Sequence, residues 1–163
     1  MTDPRLLADV KSAEGCRLTA YKDSRGLWTA GWGHKLGQHF TWTGHTFTQS
    51  EADAYLAADL DNAMVQARTL SEWVYLNTPC RENALTELVF NMGFGAWLEF
   101  RRTRAAIKQQ RWQDAHDGLL DSVWAREVQP HGILDPDGKE LPGRATRLAG
   151  YLLTGQYPNA QIS

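Results

Sequence analysis

Glu14, Asp23 and Thr29 bring two carboxyl groups and a hydroxyl into one short stretch of a 163-residue chain. Between them, Ser24, Arg25 and Gly26 fit a three-residue hairpin loop, with Gly26 in the left-handed position such loops favour. In that register Asp23 opposes Leu27 and Tyr21 opposes Thr29, and period-two alternation puts all four on one face. Asp23 and Thr29 are then diagonal neighbours about 6–8 Å apart, close enough to share a water. Glu14 falls where a preceding helix would meet this sheet. A carboxyl at a helix end facing a carboxylate and a hydroxyl on a hairpin suits hydrolysis of a glycosidic bond. One acid protonates the leaving oxygen, and the other groups handle water or the oxocarbenium charge. Taken singly, each residue has a plainer role: a solvated helix-end Glu, a turn-forming Asp, a strand-favouring Thr.

The elements that must position these groups fall into three zones. Leu6, Leu7, Val10 and Ala13 have helical spacing, and Gly15 as a C-cap would end this helix at Glu14. Residues 17–47 are rich in Thr, Trp, Tyr and Gly and read as a small antiparallel sheet of short strands, with a turn at Thr43-Gly44. From Thr48 the pattern is helical. Thr48 and Glu51 fit a capping box, and Ala52, Tyr55, Leu56, Leu60, Ala63, Met64 and Ala67 form an apolar stripe about 30 Å long. Further helices are predicted over 82–92, 98–110, 112–126 and 142–154, with Pro142 opening the last and Gly155 closing it. Asp135-Pro136-Asp137-Gly138 predicts a turn in a hairpin or long loop. The fold class is α+β: a β lobe over 15–47, a connecting helix over 48–70, and a helical lobe from 71–163 together with 1–14.

Composition narrows the functional classes. The chain is 42% hydrophobic and 22% charged, which suits a globular core and excludes a disordered chain or a disulfide mini-protein. Its 17 basic and 19 acidic residues give a net charge of −2, so no nucleic-acid partner is expected. No apolar run approaches a membrane span or a signal-peptide core, so synthesis in a cytoplasm is expected, with no export address and no stable membrane insertion. Cys16 and Cys80 form no CxxC pair and are expected as free thiols. His34, His39 and His45 lack metal-ligand spacing, so no metal and no cofactor is expected. Arg101, Arg102, Arg104, Lys108 and Arg111 read as a solvated helix face, with docking onto anionic lipid as the sharper alternative. Of the seven Trp, most are expected in the core, and one or two near the sheet could stack on sugar rings.

The run from Glu14 through Asp23 and Thr29 to Gly31-Trp32-Gly33-His34 resembles the signature of phage lysozymes of the T-even type, glycoside hydrolase family 24. That signature is Glu-x8-Asp-x5-Thr followed by a Gly-x-Gly-His element. The likeness continues at Thr48–Asp53, at Ala84–Gly93, at Gln109–Trp112 and Trp124, and at Leu141–Arg147, and matching segments are spread over most of the chain, from about residue 5 to 157. It implies a lysozyme-like fold and a monomeric endolysin that cleaves the β-1,4 bond between N-acetylmuramic acid and N-acetylglucosamine of peptidoglycan. By resemblance Glu14 is the general acid, and Asp23 with Thr29 positions or activates water. The anomeric centre inverts, and a holin-type pore releases the protein from the host cytoplasm to the wall. Gly33, Leu36, Phe90 and Asn91 are implied in substrate binding, although some relatives carry Gln at the position of Asn91. Arg144 is implied in positioning Glu14, and His34 with Asp59 in stability. Two departures stand out: a shorter stretch between His34 and Glu51, and a longer one over 127–141. Two rivals remain at this level. A lytic transglycosylase would make 1,6-anhydro ends through Glu14 alone, and a non-catalytic wall-binding module would use none of the three.

Overall fold

A computed structural model describes residues 2–37, 41–128 and 143–158. The chain forms two compact units, Met1–Met64 and Val65–Ser163. Among the described residues they hold α1 (Pro4–Ala13), β1 (Arg17–Lys22), β2 (Trp28–Gly31), β3 (His34–Lys35), α2 (Gln49–Arg68), a 3-10 turn over Trp73–Tyr75, α3 (Pro79–Met92), α4 (Phe94–Leu98), α5 (Arg101–Lys108), α6 (Trp112–Leu120), α7 (Val123–Val128) and α8 (Arg144–Thr154). This is a mostly helical α+β fold with a small antiparallel sheet.

In the first unit, Asp3 caps α1 by accepting the Arg5 N–H at 2.8 Å, and Leu6 and Val10 are its buried stripe. The helix stops at Ala13, one residue short of the expected end. Glu14, not Gly15, is the cap: its N–H still donates to the Val10 carbonyl at 2.9 Å while its backbone is already extended, at φ −105° and ψ 140°. Entry into β1 ends the helix, so no left-handed residue is needed there. The sheet order is β1-β2-β3, with Tyr21 opposite Thr29 and Thr29 opposite Lys35. Gly26 closes the β1–β2 loop at φ 78°, as the three-residue loop requires.

Thr43-Gly44 makes the expected turn, and the segment after it joins β1 through a single bridge, Thr19 to Thr46. Ala20, Ala30, Leu36 and Phe47 form the core of this lobe, with Trp28, Trp42 and Tyr55 packed against them. Gly31 (φ 61°) lies so close to α2 that a Cβ there would stand 3.0 Å from the Ala52 Cβ. The capping box of α2 forms as expected: the Thr48 N–H donates to Glu51 at 2.8 Å and the Glu51 N–H to Thr48 at 3.2 Å.

In the second unit α3 is the central helix, with both faces buried from Cys80 to Val89 apart from Glu82. It begins three residues earlier than the apolar pattern suggests. Thr78 caps it by accepting the Arg81 N–H, and Pro79 occupies the first turn. The helix expected over 98–110 is α5, which starts only at Arg101 because the chain turns at Glu99 and Phe100; α4, just before that turn, was not expected. The one expected over 112–126 divides at Asp121-Ser122, where the Ser122 hydroxyl accepts the Ala125 N–H and starts α7. Pro142, His39 and the expected turn at 135–138 lie outside the described residues. Gly155 caps α8 in the left-handed region at φ 67°.

Two buried charge clusters hold the second unit together. Glu72, fully buried, accepts from Arg104 Nε at 2.6 Å, Arg104 Nη2 at 3.1 Å and the Trp97 indole at 2.8 Å. Burial pushes the Glu72 carboxyl up, but the Arg104 and Trp97 hydrogen bonds outweigh it, and the net shift is downward. Glu87 accepts from Arg147 at 3.0 and 2.7 Å and from Arg144 at 3.2 Å, both on the first turn of α8. At the other end of α8, the Arg81 guanidinium donates to the Leu152 and Leu153 carbonyls at 2.8 and 3.1 Å. It also lies 3.7 Å over the Trp112 ring. The basic run 101–111 is therefore not a uniform solvated face: Arg104 serves buried Glu72, Arg101 pairs with Glu99, and Arg111 with Asp114.

Candidate active site

The hairpin delivers Asp23 and Thr29 as its register requires. The Asp23 N–H donates to the Leu27 carbonyl at 2.9 Å, which sets Asp23 opposite Leu27 two rows along from the Tyr21–Thr29 pair. One Asp23 oxygen, Oδ1, accepts the backbone N–H groups of Arg25 and Leu27, both at 2.9 Å. The other, Oδ2, accepts from Lys35 Nζ at 2.6 Å. The same ammonium donates to Thr29 Oγ1 at 3.2 Å, while the Thr29 hydroxyl donates to the Leu27 carbonyl at 3.1 Å. Thr29 is 1% exposed, so this hydroxyl is a built feature and not a surface decoration.

Sequence reasoning missed Lys35. Its signal is the third strand: Lys35 is the register partner of Thr29, so Tyr21, Thr29 and Lys35 form one row on one face. The Lys35 ammonium stands between Asp23 and Thr29, the place a shared water was expected to take. The Lys35 hydrogen bond, with those of the Leu27 and Arg25 amides, lowers the Asp23 pKa to about 2. Asp23 is thus an anion throughout the neutral and mildly acid range.

Glu14 is half-buried at the α1 cap, where the chain turns from helix into β1. The helix that carries it is tied to its own lobe by a second carboxylate. Asp53 on α2 accepts from Lys11 at 2.8 Å, from the Trp32 indole at 2.8 Å and from Gln49 at 2.9 Å. These contacts, Lys11 first, lower the Asp53 pKa to about 2. Lys11 lies one turn before Glu14. Asp53 therefore joins α1, the β2–β3 turn and the first turn of α2, and it too was absent from the expected site.

The remaining expected residues are placed as follows. Gly33, exposed at φ 96°, shapes the β2–β3 turn. The Leu36 side chain lies in the lobe core, and its N–H donates to the Trp28 carbonyl at 2.8 Å. Phe90 and Asn91 are half-buried near the end of α3, and the Asn91 side-chain oxygen, Oδ1, accepts the Trp124 indole N–H at 2.8 Å. Arg144 opens α8 on Glu87. The His34 Nδ1–H donates to the Asp59 carboxylate at 2.8 Å, and the ring stacks on Tyr55, with ring centroids 4.3 Å apart. Among the described residues no group of His, Cys, Asp or Glu is arranged to hold a metal ion.

Comparisons with known proteins give the family. The phage lysozyme family model matches residues 11–147. The chain is 32% identical over 111 residues to the peptidoglycan hydrolase gp36 of Pseudomonas phage phiKMV, covering 68% of this chain and 12% of that protein. It is 31% identical over 129 residues to an endolysin of Lactococcus phage c2, covering 72% of this chain and 52% of that one. An endolysin of Salmonella phage P22 is 31% identical over 132 residues, covering 78% of this chain and 85% of its own length. The chain thus spans about one eighth of the phiKMV protein and about half of the c2 endolysin. With a hairpin carrying Asp23 and Thr29 behind a Glu14-capped helix, and a family match running from α1 into α8, this chain belongs to the phage lysozyme family.

Proposed function

We propose that this protein is an endolysin-type muramidase that hydrolyses the β-1,4 bond between N-acetylmuramic acid and N-acetylglucosamine in peptidoglycan. The observation that carries the reading is a carboxylate fixed as an anion beside a buried hydroxyl, on the hairpin that follows the Glu14 cap. Glu14 donates the proton to the leaving glycosidic oxygen. Asp23 is a weak base at a pKa of about 2, so it orients the attacking water and offsets oxocarbenium charge, with Thr29 fixing the water. Attack from the face opposite the leaving group inverts the anomeric centre. Arg144 positions the acid, and Gly33, Leu36, Phe90 and Asn91 line the path of the sugar chain, Leu36 through its backbone. The protein acts as a monomer on the wall after release through a holin-type pore, and the outcome is host lysis. Among the described residues no helix is long and apolar enough to cross a membrane.

Mass spectrometry of the soluble fragments released from purified peptidoglycan tests this directly. Reducible N-acetylmuramic acid ends are expected. Anhydro ends would replace hydrolysis by transglycosylation and free Asp23 and Thr29 from the chemistry. No fragments from folded, wall-bound protein would leave a binding module.

A further inference from the structure

We propose that Lys35 is a positioning residue of this site: its ammonium ties the Asp23 carboxylate to the Thr29 hydroxyl and fixes the charge and place of the pair that handles water. The inference rests on the reading of Asp23 and Thr29 given above. Three features of the geometry carry it. Lys35 reaches both groups at once, at 2.6 and 3.2 Å, from the strand register that puts it beside Thr29. The Asp23 side chain is only 16% exposed, whereas Lys35 is 56% exposed, so the lysine covers the carboxylate and remains open to solvent on its outer side. Two of the three ammonium N–H bonds are engaged by Asp23 and Thr29, which leaves one for a water or sugar oxygen.

Tyr21 on β1 shares the face of Asp23 and carries the Arg17 guanidinium 4.4 Å over its ring. Lys22 alternates to the other face and lies 5.4 Å from the Trp28 ring centroid. His34, the β3 neighbour of Lys35, pairs with Asp59. Arg25 meets Asp23 through its backbone N–H. Glu14 precedes β1 at the α1 cap. Lys35 is the cation that forms an ion pair with Asp23 among the described residues.

The test compares Lys35→Met, Lys35→Arg and Asp23→Asn with the wild type on soluble peptidoglycan fragments across pH. Carbon-13 titration of the Asp23 carboxyl is recorded for the wild type and both lysine variants. Lys35→Met is expected to lower kcat about tenfold with KM changed less than about twofold. It also moves the acid limb of the rate profile, and the Asp23 titration, up by about 1–2 pH units. Lys35→Arg restores most of both. Unchanged kcat and acid limb in Lys35→Met would overturn the proposal, as would a loss of rate with an unmoved Asp23 titration and no rescue by Arg. Full activity of Asp23→Asn would instead remove Asp23 from the chemistry, whatever the lysine variants do.

Discussion

The two units use charge in opposite ways. In the second, two carboxylates are fully buried and are matched by arginine: Glu72 by Arg104, Glu87 by Arg144 and Arg147. In the first, the strongly acidic carboxylates stand near the surface and are matched by lysine: Asp23 by Lys35, Asp53 by Lys11. A buried carboxylate needs a partner that cannot lose its charge and that donates through a rigid fork, which arginine supplies. A surface carboxylate in a working site needs a counter-charge that can yield to solvent or substrate, and lysine on a flexible stem suits that. A lowered carboxyl pKa therefore has a different setting at the two places: at Glu72 a buried pair that holds the fold, at Asp23 a lysine at the surface of the proposed site.

Breaking the contrast should give effects of graded size. Glu14→Gln is expected to lower the rate of wall hydrolysis by about 10²–10⁴-fold, the usual span for a lost general acid, with far-ultraviolet circular dichroism unchanged. Arg104→Met strands the Glu72 carboxylate inside the second unit and should cost about 3–5 kcal/mol, read by urea denaturation. Replacing Glu72 together with Arg104 by apolar residues should recover much of that loss, because the penalty lies in the orphaned charge.

A smaller effect sharpens the comparison on the other side. Asp53→Asn loosens a surface network whose members are about one third exposed, and should cost about 1 kcal/mol in a denaturation curve. Acid sensitivity follows the same logic. Asp23 and Asp53 have folded pKa values of about 2, below those of the unfolded chain. Their contribution to stability is complete above the ordinary carboxylate range and is lost as pH falls through about 2. Melting temperature should thus fall between about pH 4 and pH 2, less steeply in Lys11→Met, as differential scanning calorimetry across that range would show.

Local rules carried far in the first lobe and less far in the second. The Ser24–Gly26 loop has one favoured length and one position for a left-handed glycine, so the pairing of Tyr21 with Thr29 could be read directly from residue types. The Thr48–Glu51 box was equally local. Lys35 escaped because its role depends on a third strand only two residues long, which carries almost no periodicity of its own. Asp53 escaped because its partners come from three separate elements. In the second unit, Glu72 and Arg104 lie 32 residues apart, and nothing near either one announces the other. From the sequence Arg104 therefore looks like one of a row of surface cations. The breaks at Glu99-Phe100 and Asp121-Ser122 have no Gly or Pro to mark them, so helical spacing ran through both.

The grip of α3 on both ends of α8 has a consequence for how the second unit comes apart. Helices ordinarily fray from their termini, where backbone groups lack partners. Here Glu87 faces the first turn of α8, and Arg81 takes up carbonyls of its last. Neither end can open without disturbing α3, so the two helices form one cooperative block. Their slowest amide hydrogens are expected to share a single opening event, which native-state hydrogen exchange would show as one common protection value across α3 and α8.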